Sequence, residues 1–87
     1  MEVLIGFHIE GGTLHFRVAT NGCTTAGDFR IDVTALESHT TLALHRVRRD
    51  DCKGFFPDGV EITFSMAALG ISPGRPIVLR NPFGVPR

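Results

Sequence analysis

Cys23 and Cys52 are the two cysteines of this 87-residue chain, and their spacing predicts that they meet. Two runs of alternating apolar residues, 29–33 and 42–45, lie between them and are joined by a turn-like segment at 36–40. An antiparallel hairpin puts the apolar residues of both runs on one face when opposed residue numbers sum to about 75. The same register places Cys23 opposite Cys52, just beyond the open end of the hairpin.

Three chemistries are open to a cysteine pair in this position. A disulfide closing a loop of about 30 residues would stabilise the domain by roughly 3.5 kcal/mol. Two reduced thiols are the expected state in a cytosolic protein, where disulfides are rare. The two thiolates could instead contribute to a metal site. The chain has no Cys-x-x-Cys spacing, so further ligands would have to come from nearby aspartates or a histidine.

A pair of histidines is the second candidate site. Gly11-Gly12 separates two alternating runs, which predicts a tight hairpin with His8 opposite His15. Opposed side chains in a hairpin have Cβ atoms about 5 Å apart, so the two imidazoles could share a Zn²⁺ or Ni²⁺ ion. Glu10 lies on the same strand face as His8 and is the candidate third ligand. The competing interpretation is two solvated histidines on a polar sheet face.

A group of four arginines is the third candidate, as a patch for an anion or an acidic partner. The four are Arg30, Arg46, Arg48 and Arg49. Three aspartates, Asp28, Asp50 and Asp51, lie in the same part of the chain. Ion pairing within the protein on a solvated face is therefore the competing interpretation.

Six short segments with the two-residue period of β-strands would position these groups. The segments are 3–9, 14–18, 28–34, 41–48, 60–64 and 77–80. Ser65 and Gly70 have the residue types of a helix cap and a helix end, which predicts one short helical turn over 65–70. We therefore expect an all-β fold, a small antiparallel sandwich or barrel. Residues 1–87 would form a single β domain with a frayed tail at 81–87.

Two details of the predicted core depend on which side chains point inward at particular positions. Strict alternation in the second strand of the central hairpin would turn Arg46 inward. A β-bulge between residues 46 and 49 would avoid this and turn Val47 inward instead. Phe55 and Phe56 precede a Pro-Asp-Gly turn and are expected to cover one end of the core.

Charge and hydropathy narrow the classes of partner. The chain has 9 basic and 9 acidic residues, and the resulting zero net charge argues against a nucleic-acid partner while permitting self-association. No segment approaches the ~20 apolar residues of a membrane span, and the N-terminus lacks the basic region of a signal peptide. We therefore expect no membrane partner and a cytoplasmic location, or a periplasmic or secreted one if Cys23 and Cys52 form a disulfide.

No enzyme signature is present in the sequence, such as a P-loop, Gly-x-Ser-x-Gly or His-Glu-x-x-His. We expect a non-enzymatic β module without a cofactor, which contacts another protein or a second copy of itself. An edge strand, residues 77–80 or the first hairpin, would provide the contact. The alternatives are a metal-binding or metal-sensing domain, using His8, His15 and Glu10 or the cysteine pair, and a small enzyme subunit with a cysteine nucleophile.

Overall fold

The chain forms two small β-sheets, and the computed structural model describes residues 1–84. The six strands are β1 (Gly6–Glu10), β2 (Thr13–Val18), β3 (Phe29–Ala35), β4 (Thr40–Arg46), β5 (Val60–Ser65) and β6 (Ile77–Leu79). A single turn of 3-10 helix, Ala26–Asp28, precedes β3. The prediction of an all-β domain is confirmed. Within residues 1–84 no helix has the length and apolar character needed to cross a membrane.

The strands are divided between the sheets in the orders β1-β2-β5 and β3-β4-β6. Neighbouring strands are antiparallel except for β4 and β6, which run parallel with Thr40 opposite Ile77 and Leu42 opposite Leu79. The chain leaves β4, passes through β5 in the other sheet and then returns as β6. A long crossover of this kind permits parallel pairing. This one parallel pair is not part of the antiparallel architecture predicted from the sequence.

Both hairpins, β1 with β2 and β3 with β4, have the predicted register. His8 lies opposite His15 across the turn at Gly11-Gly12, and Val33 lies opposite Leu42. The two glycines have φ angles of 56° and 77°, the left-handed backbone that a tight two-residue turn requires. A shift of one residue in either hairpin would move its apolar side chains to the solvent face. The alternation therefore determines the register.

The buried apolar residues of the two sheets form one hydrophobic cluster. It contains Leu4, Leu14, Phe16, Val18, Phe29, Leu42, Leu44, Ile62 and Ile71. The Phe16 side chain is fully buried, and its ring centroid lies 4.9 Å from that of Phe7 and 5.8 Å from that of Phe64. Tilted and edge-on contacts of this kind add to the stabilisation that burial provides.

The first strand begins with a β-bulge that the sequence pattern does not predict. Gly6 is the register partner of Arg17, and the Arg17 carbonyl also accepts a hydrogen bond from Ile5 N–H at 2.8 Å. Two residues therefore face one, which is the defining feature of a bulge. The extra residue shifts the alternation. Leu4 is fully buried as a result, whereas Val3 is exposed.

The segment after β6 differs from the frayed tail predicted for 81–87. Asn81 is buried, and its side-chain Oδ1 accepts a hydrogen bond from Leu44 N–H at 2.8 Å. Its Nδ2 donates to the carbonyls of Glu2 and Leu44 at 2.7 and 2.8 Å. One amide thus joins both chain ends to β4, because an asparagine side chain both donates and accepts. The tail beyond Gly84 lies outside the described residues.

Residues 65–70 form the predicted turn after β5. Ser65 Oγ accepts a hydrogen bond from Ala68 N–H at 3.2 Å, and Gly70 has a φ of 73°. The Leu69 N–H donates to the Ser65 carbonyl at 3.2 Å, as in a helix. The capping serine and the terminal glycine therefore have their predicted conformations, although the segment is too short to count as a helix.

Candidate functional site

The structure joins Cys23 and Cys52 in a disulfide. Their Cα atoms are 5.8 Å apart, which is the usual separation of bridged cysteines. The bridge connects the loop before β3 to the loop after β4, at the open end of the hairpin, where the register predicts that the cysteines meet. Of the three chemistries open to this pair, the structure shows the disulfide.

Asp50 lies at the centre of the loops that the disulfide connects. Its Oδ2 accepts hydrogen bonds at 2.7–3.1 Å from the hydroxyls of Thr24 and Thr20 and from the N–H groups of Asn21 and Cys23. Its Oδ1 accepts one from Cys52 N–H at 3.0 Å. The Thr24 hydroxyl, followed by the backbone N–H groups, holds the pKa of the Asp50 carboxyl far below its ordinary value. The carboxylate acts as a structural anion that organises both loops.

The stability of the domain should therefore fall when the pH is lowered from the ordinary carboxyl pKa toward the folded-state pKa of Asp50. The folded-state pKa is below the ordinary value of 3.8, so this stabilisation is complete above that value. It is lost as the pH falls toward the folded-state pKa. We expect Asp50→Asn to lower Tm by several degrees at neutral pH and to flatten the dependence of Tm on pH between about 4 and 2. Circular dichroism melts measure both quantities.

The control for this experiment is Asp51→Asn. Asp51 is the neighbouring carboxylate, and its side chain is 75% exposed. It should retain the wild-type acid profile. An Asp50→Asn variant that loses stability with acid as steeply as the wild type would contradict the assignment.

Arg46 points into the protein, although the two residues after it have the bonding pattern of a β-bulge: the N–H groups of Val47 and Arg48 both donate to the Asp28 carbonyl, at 2.8 and 3.2 Å. The pairing of Phe29 with Arg46 continues the register of the hairpin without interruption. Val47, which the bulge would have turned inward, is 58% exposed. Strict alternation was therefore correct at Arg46. The bulge lies beyond Arg46, so the expectation that it would keep Arg46 from turning inward and would turn Val47 inward was wrong. The protein instead supplies partners for the inward charge.

The Arg46 guanidinium is bonded on every side to groups of the protein. Its Nη2 donates to Glu2 Oε2 at 2.7 Å and to the Ala19 carbonyl at 2.8 Å. Its Nη1 donates to Thr24 Oγ1 at 3.1 Å. The guanidinium carbon lies 4.7 Å from the centroid of the Phe29 ring. Arg46 is thus an internal cross-link between the N-terminal segment, the loop after β2, and β3.

The other three arginines of the predicted anion patch also have acidic partners. The pairs are Arg30–Asp32, Arg48–Asp28 and Arg49–Asp51, with N···O distances of 3.0, 3.5 and 2.7 Å. Alternation along β3 and β4 places Arg30 on the outer sheet face and Arg46 on the inner one. Internal pairing, the competing interpretation of this basic group, describes all four side chains.

The outer face of the first sheet brings His8 and His15 together with Glu61. The two imidazole rings stack with centroids 4.3 Å apart and planes 9° from parallel. His15 Nδ1 lies 2.8 Å from Glu61 Oε1. One ligand atom of each of the three residues lies within 4.8 Å of the others. Glu10, the predicted third ligand, is not in this group, since it lies beside the turn opposite Thr13.

Within the described residues 1–84, the free edge of β3 offers unpaired backbone groups at known positions. Leu36 N–H donates to the His39 carbonyl and Val47 N–H donates to the Asp28 carbonyl, both at 2.8 Å. These bonds lie at the two ends of the β3–β4 ladder. Because an antiparallel ladder alternates with a period of two, the even-numbered residues of β3 bond to β4. The N–H and C=O groups of the odd-numbered residues point away from β4, and these are Phe29, Ile31, Val33 and Ala35.

Phe55 and Phe56 do not cover the core, contrary to the prediction. They are 86% and 51% exposed. Their loop, residues 47–59, is held at the end of the molecule by the disulfide and by a 2.8 Å hydrogen bond from Gly54 N–H to the Asn21 carbonyl. This attachment keeps the two rings outside the hydrophobic cluster.

Comparisons of the chain with protein-family models, curated proteins and solved structures find no significant match. Three residues that organise the sites were not singled out from the sequence. They are Glu2, Glu61 and Asn81. Strict alternation along β4 turns the Arg46 side chain inward. This was a signal that a carboxylate had to lie nearby, because an unpaired charge inside a protein destabilises the folded state. Nothing local to Arg46 indicated that the carboxylate would come from the other end of the chain.

Proposed function

We propose that this domain is a non-enzymatic contact module that associates with a second copy of itself through the edge of β3. The observation that carries the proposal is the free edge of β3. Its backbone groups point outward, and its charged side chains form a pattern that is complementary to that of a second copy. Addition of a strand to a free sheet edge is a common mode of protein recognition, in which main-chain hydrogen bonds supply affinity and side chains supply register.

The charge pattern selects one register. A symmetric antiparallel pair of β3 strands centred on Ile31 would use the outward backbone groups and place Arg30 opposite Asp32 of the second copy, twice by symmetry. Centring the pair on Arg30 or Asp32 would oppose like charges. Centring it on Val33 would place Asp32 opposite Thr34 and leave the arginine without a partner.

The same register would cover apolar surface on the inner face. Ile31 and Val33 are only half-buried in the single chain, where β3 is the outermost strand of its sheet. In the proposed pair Ile31 faces its own copy and Phe29 faces Val33. The two three-stranded sheets would become continuous, and these side chains would gain cross-strand neighbours.

The charges of β3 favour approach of a second copy. Edge strands that carry one sign of charge repel each other and so avoid pairing, whereas this edge carries both signs. The Arg30–Asp32 pair within one chain has side chains 58% and 50% exposed. Asp32 Oδ2 also lies 3.1 Å from His45 Nε2, so only the contact of Asp32 Oδ1 with Arg30 would be exchanged for an intermolecular one, which costs little. The zero net charge of the chain adds no general repulsion.

Two further observations support the proposal. The first favours a module without catalytic activity, and the second favours a location outside the cytoplasm. A cavity of about 390 Å³ lies beside the N-terminus, but its charged side chains are already engaged: Glu2 with Arg46, Arg49 with Asp51, and Asp50 with the loop N–H groups. Such a cavity is poorly suited to catalysis. The disulfide supports action in an oxidising compartment such as the periplasm or the extracellular space, instead of the cytoplasm.

Reversal of the two edge charges tests the proposal. We expect the mass from light scattering after size-exclusion chromatography to rise toward that of a dimer between about 10 μM and 1 mM protein. Added salt should weaken the association. Arg30→Asp and Asp32→Arg should each remain monomeric, because each opposes like charges. The double variant should dimerise again.

The matched control is Lys53→Glu, which changes the net charge as much as Arg30→Asp but lies outside β3. It should dimerise like the wild type. A wild type that stays monomeric at the highest concentration would refute the proposed function. Single reversals that leave the dimer intact would remove β3 from the interface.

A further inference from the structure

The first sheet carries a second candidate site, on the opposite sheet from the β3 edge. We propose that His8, His15 and Glu61 bind one divalent transition-metal ion of the zinc class. The inference goes beyond the proposed self-association and uses none of the residues that carry it.

The three side chains come from three adjacent strands of one hydrogen-bonded sheet. His8 on β1 is the direct partner of His15 on β2. His15 is paired with Thr63 on β5, so Glu61 is its diagonal neighbour on the same sheet face. The sheet holds the three backbone positions close together without a loop that would have to be ordered on binding. This arrangement lowers the entropic cost of assembling a site.

The donor set suits a borderline-soft cation. Two imidazole nitrogens and one carboxylate oxygen form the protein ligands of zinc sites that leave a coordination position open. The Glu61 carboxylate supplies the oxygen ligand of the set, with its Oε1 2.8 Å from His15 Nδ1. Arg17 Nη2 lies 3.9 Å from Glu61 Oε2 and offsets part of the carboxylate charge. We therefore expect an affinity weaker than that of a structural zinc site.

Binding requires one local movement. The ligand atoms lie within 4.8 Å of one another, and zinc–ligand distances of about 2.0–2.2 Å require closer approach than this limit. Two parallel stacked rings also cannot both place a nitrogen lone pair on one ion. The ring of His8 is exposed and can turn out of the stack. The ion would take the place of the proton that lies between His15 Nδ1 and Glu61 Oε1, and that proton would be released to solvent. The stack would therefore open as the ion enters.

Titration of the full chain with Zn²⁺ alone tests this site. Isothermal titration calorimetry should show one equivalent bound, and the His8 and His15 ring resonances should shift together. His8→Ala and Glu61→Gln should each weaken binding at least ~10-fold. Both side chains lie on the outer sheet face, so these variants should keep the wild-type circular dichroism spectrum.

His39→Ala, in the turn between β3 and β4, is the matched histidine control and should bind Zn²⁺ like the wild type. Absence of binding at about 1 mM Zn²⁺ would overturn the inference. Equal affinity in the wild type, His8→Ala and Glu61→Gln would also overturn it. The Arg30→Asp variant should still bind Zn²⁺, so failure of the dimer and failure of the metal site are separate results.

Discussion

Replacing both Cys23 and Cys52 with serine should lower the free energy of unfolding by about 3.5 kcal/mol. The bridge connects residues 29 positions apart, and removing it returns the conformational entropy of that loop to the unfolded chain. For a domain of this size the loss corresponds to a fall in Tm of roughly 15–25 °C. It is a large share of the total stability, which for a chain of this length is on the order of 5–10 kcal/mol.

Urea unfolding followed by circular dichroism measures this loss. The single variants Cys23→Ser and Cys52→Ser should each be as unstable as the double variant, because losing either sulfur removes the whole bridge. Wild-type protein in reductant should match them. Alkylation of natively purified protein should find no reactive thiol. Two alkylated cysteines, or a double variant with an unchanged urea midpoint, would contradict the expected result.

Replacing Arg46 with methionine should destabilise the domain by about 3 kcal/mol. The Glu2 carboxylate is 14% exposed and would lose the guanidinium that neutralises it. The Ala19 carbonyl and the Thr24 hydroxyl would lose a donor. A buried group left without its partner bears the full desolvation penalty, which is why removing one member of such a pair costs more than removing both.

A double-mutant cycle isolates this coupling. Adding Glu2→Leu to Arg46→Met should recover most of the lost stability, since two apolar side chains replace the pair. Arg49→Met is the matched control. Arg49 also pairs with a carboxylate, that of Asp51, but the two side chains are 86% and 75% exposed, and the replacement should change stability by less than about 0.5 kcal/mol. An Arg46→Met variant as stable as Arg49→Met would show that the cross-link contributes nothing.

Side-chain alternation in the sequence determined the strands, both hairpin registers and the meeting of the two cysteines. This information is local: once one face of a strand pair is apolar, only one register buries it. The position of His8 opposite His15 follows from the two-residue turn at Gly11-Gly12 in the same way. The pairing of Cys23 with Cys52 follows from extending the second register past its open end.

Strand order was decided by the tertiary structure alone, and the sites depend on it. Alternation states which face of a strand is buried but not which strands lie beside it. The pairing of β2 with β5 therefore places Glu61, not Glu10, next to His15. The outer position of β3, which leaves its edge free, has the same origin.

Single residues distant in the sequence supplied the remaining determinants. Glu2 meets Arg46, and Asn81 binds β4 and the N-terminal segment. The bulge at Ile5 and Gly6 moves Leu4 into the core. The two polar contacts form only in the folded chain. The same is true of the bulge, which changes which side chains point inward. A pattern read along the sequence therefore cannot identify the partners, because it carries no information about which distant segments become neighbours.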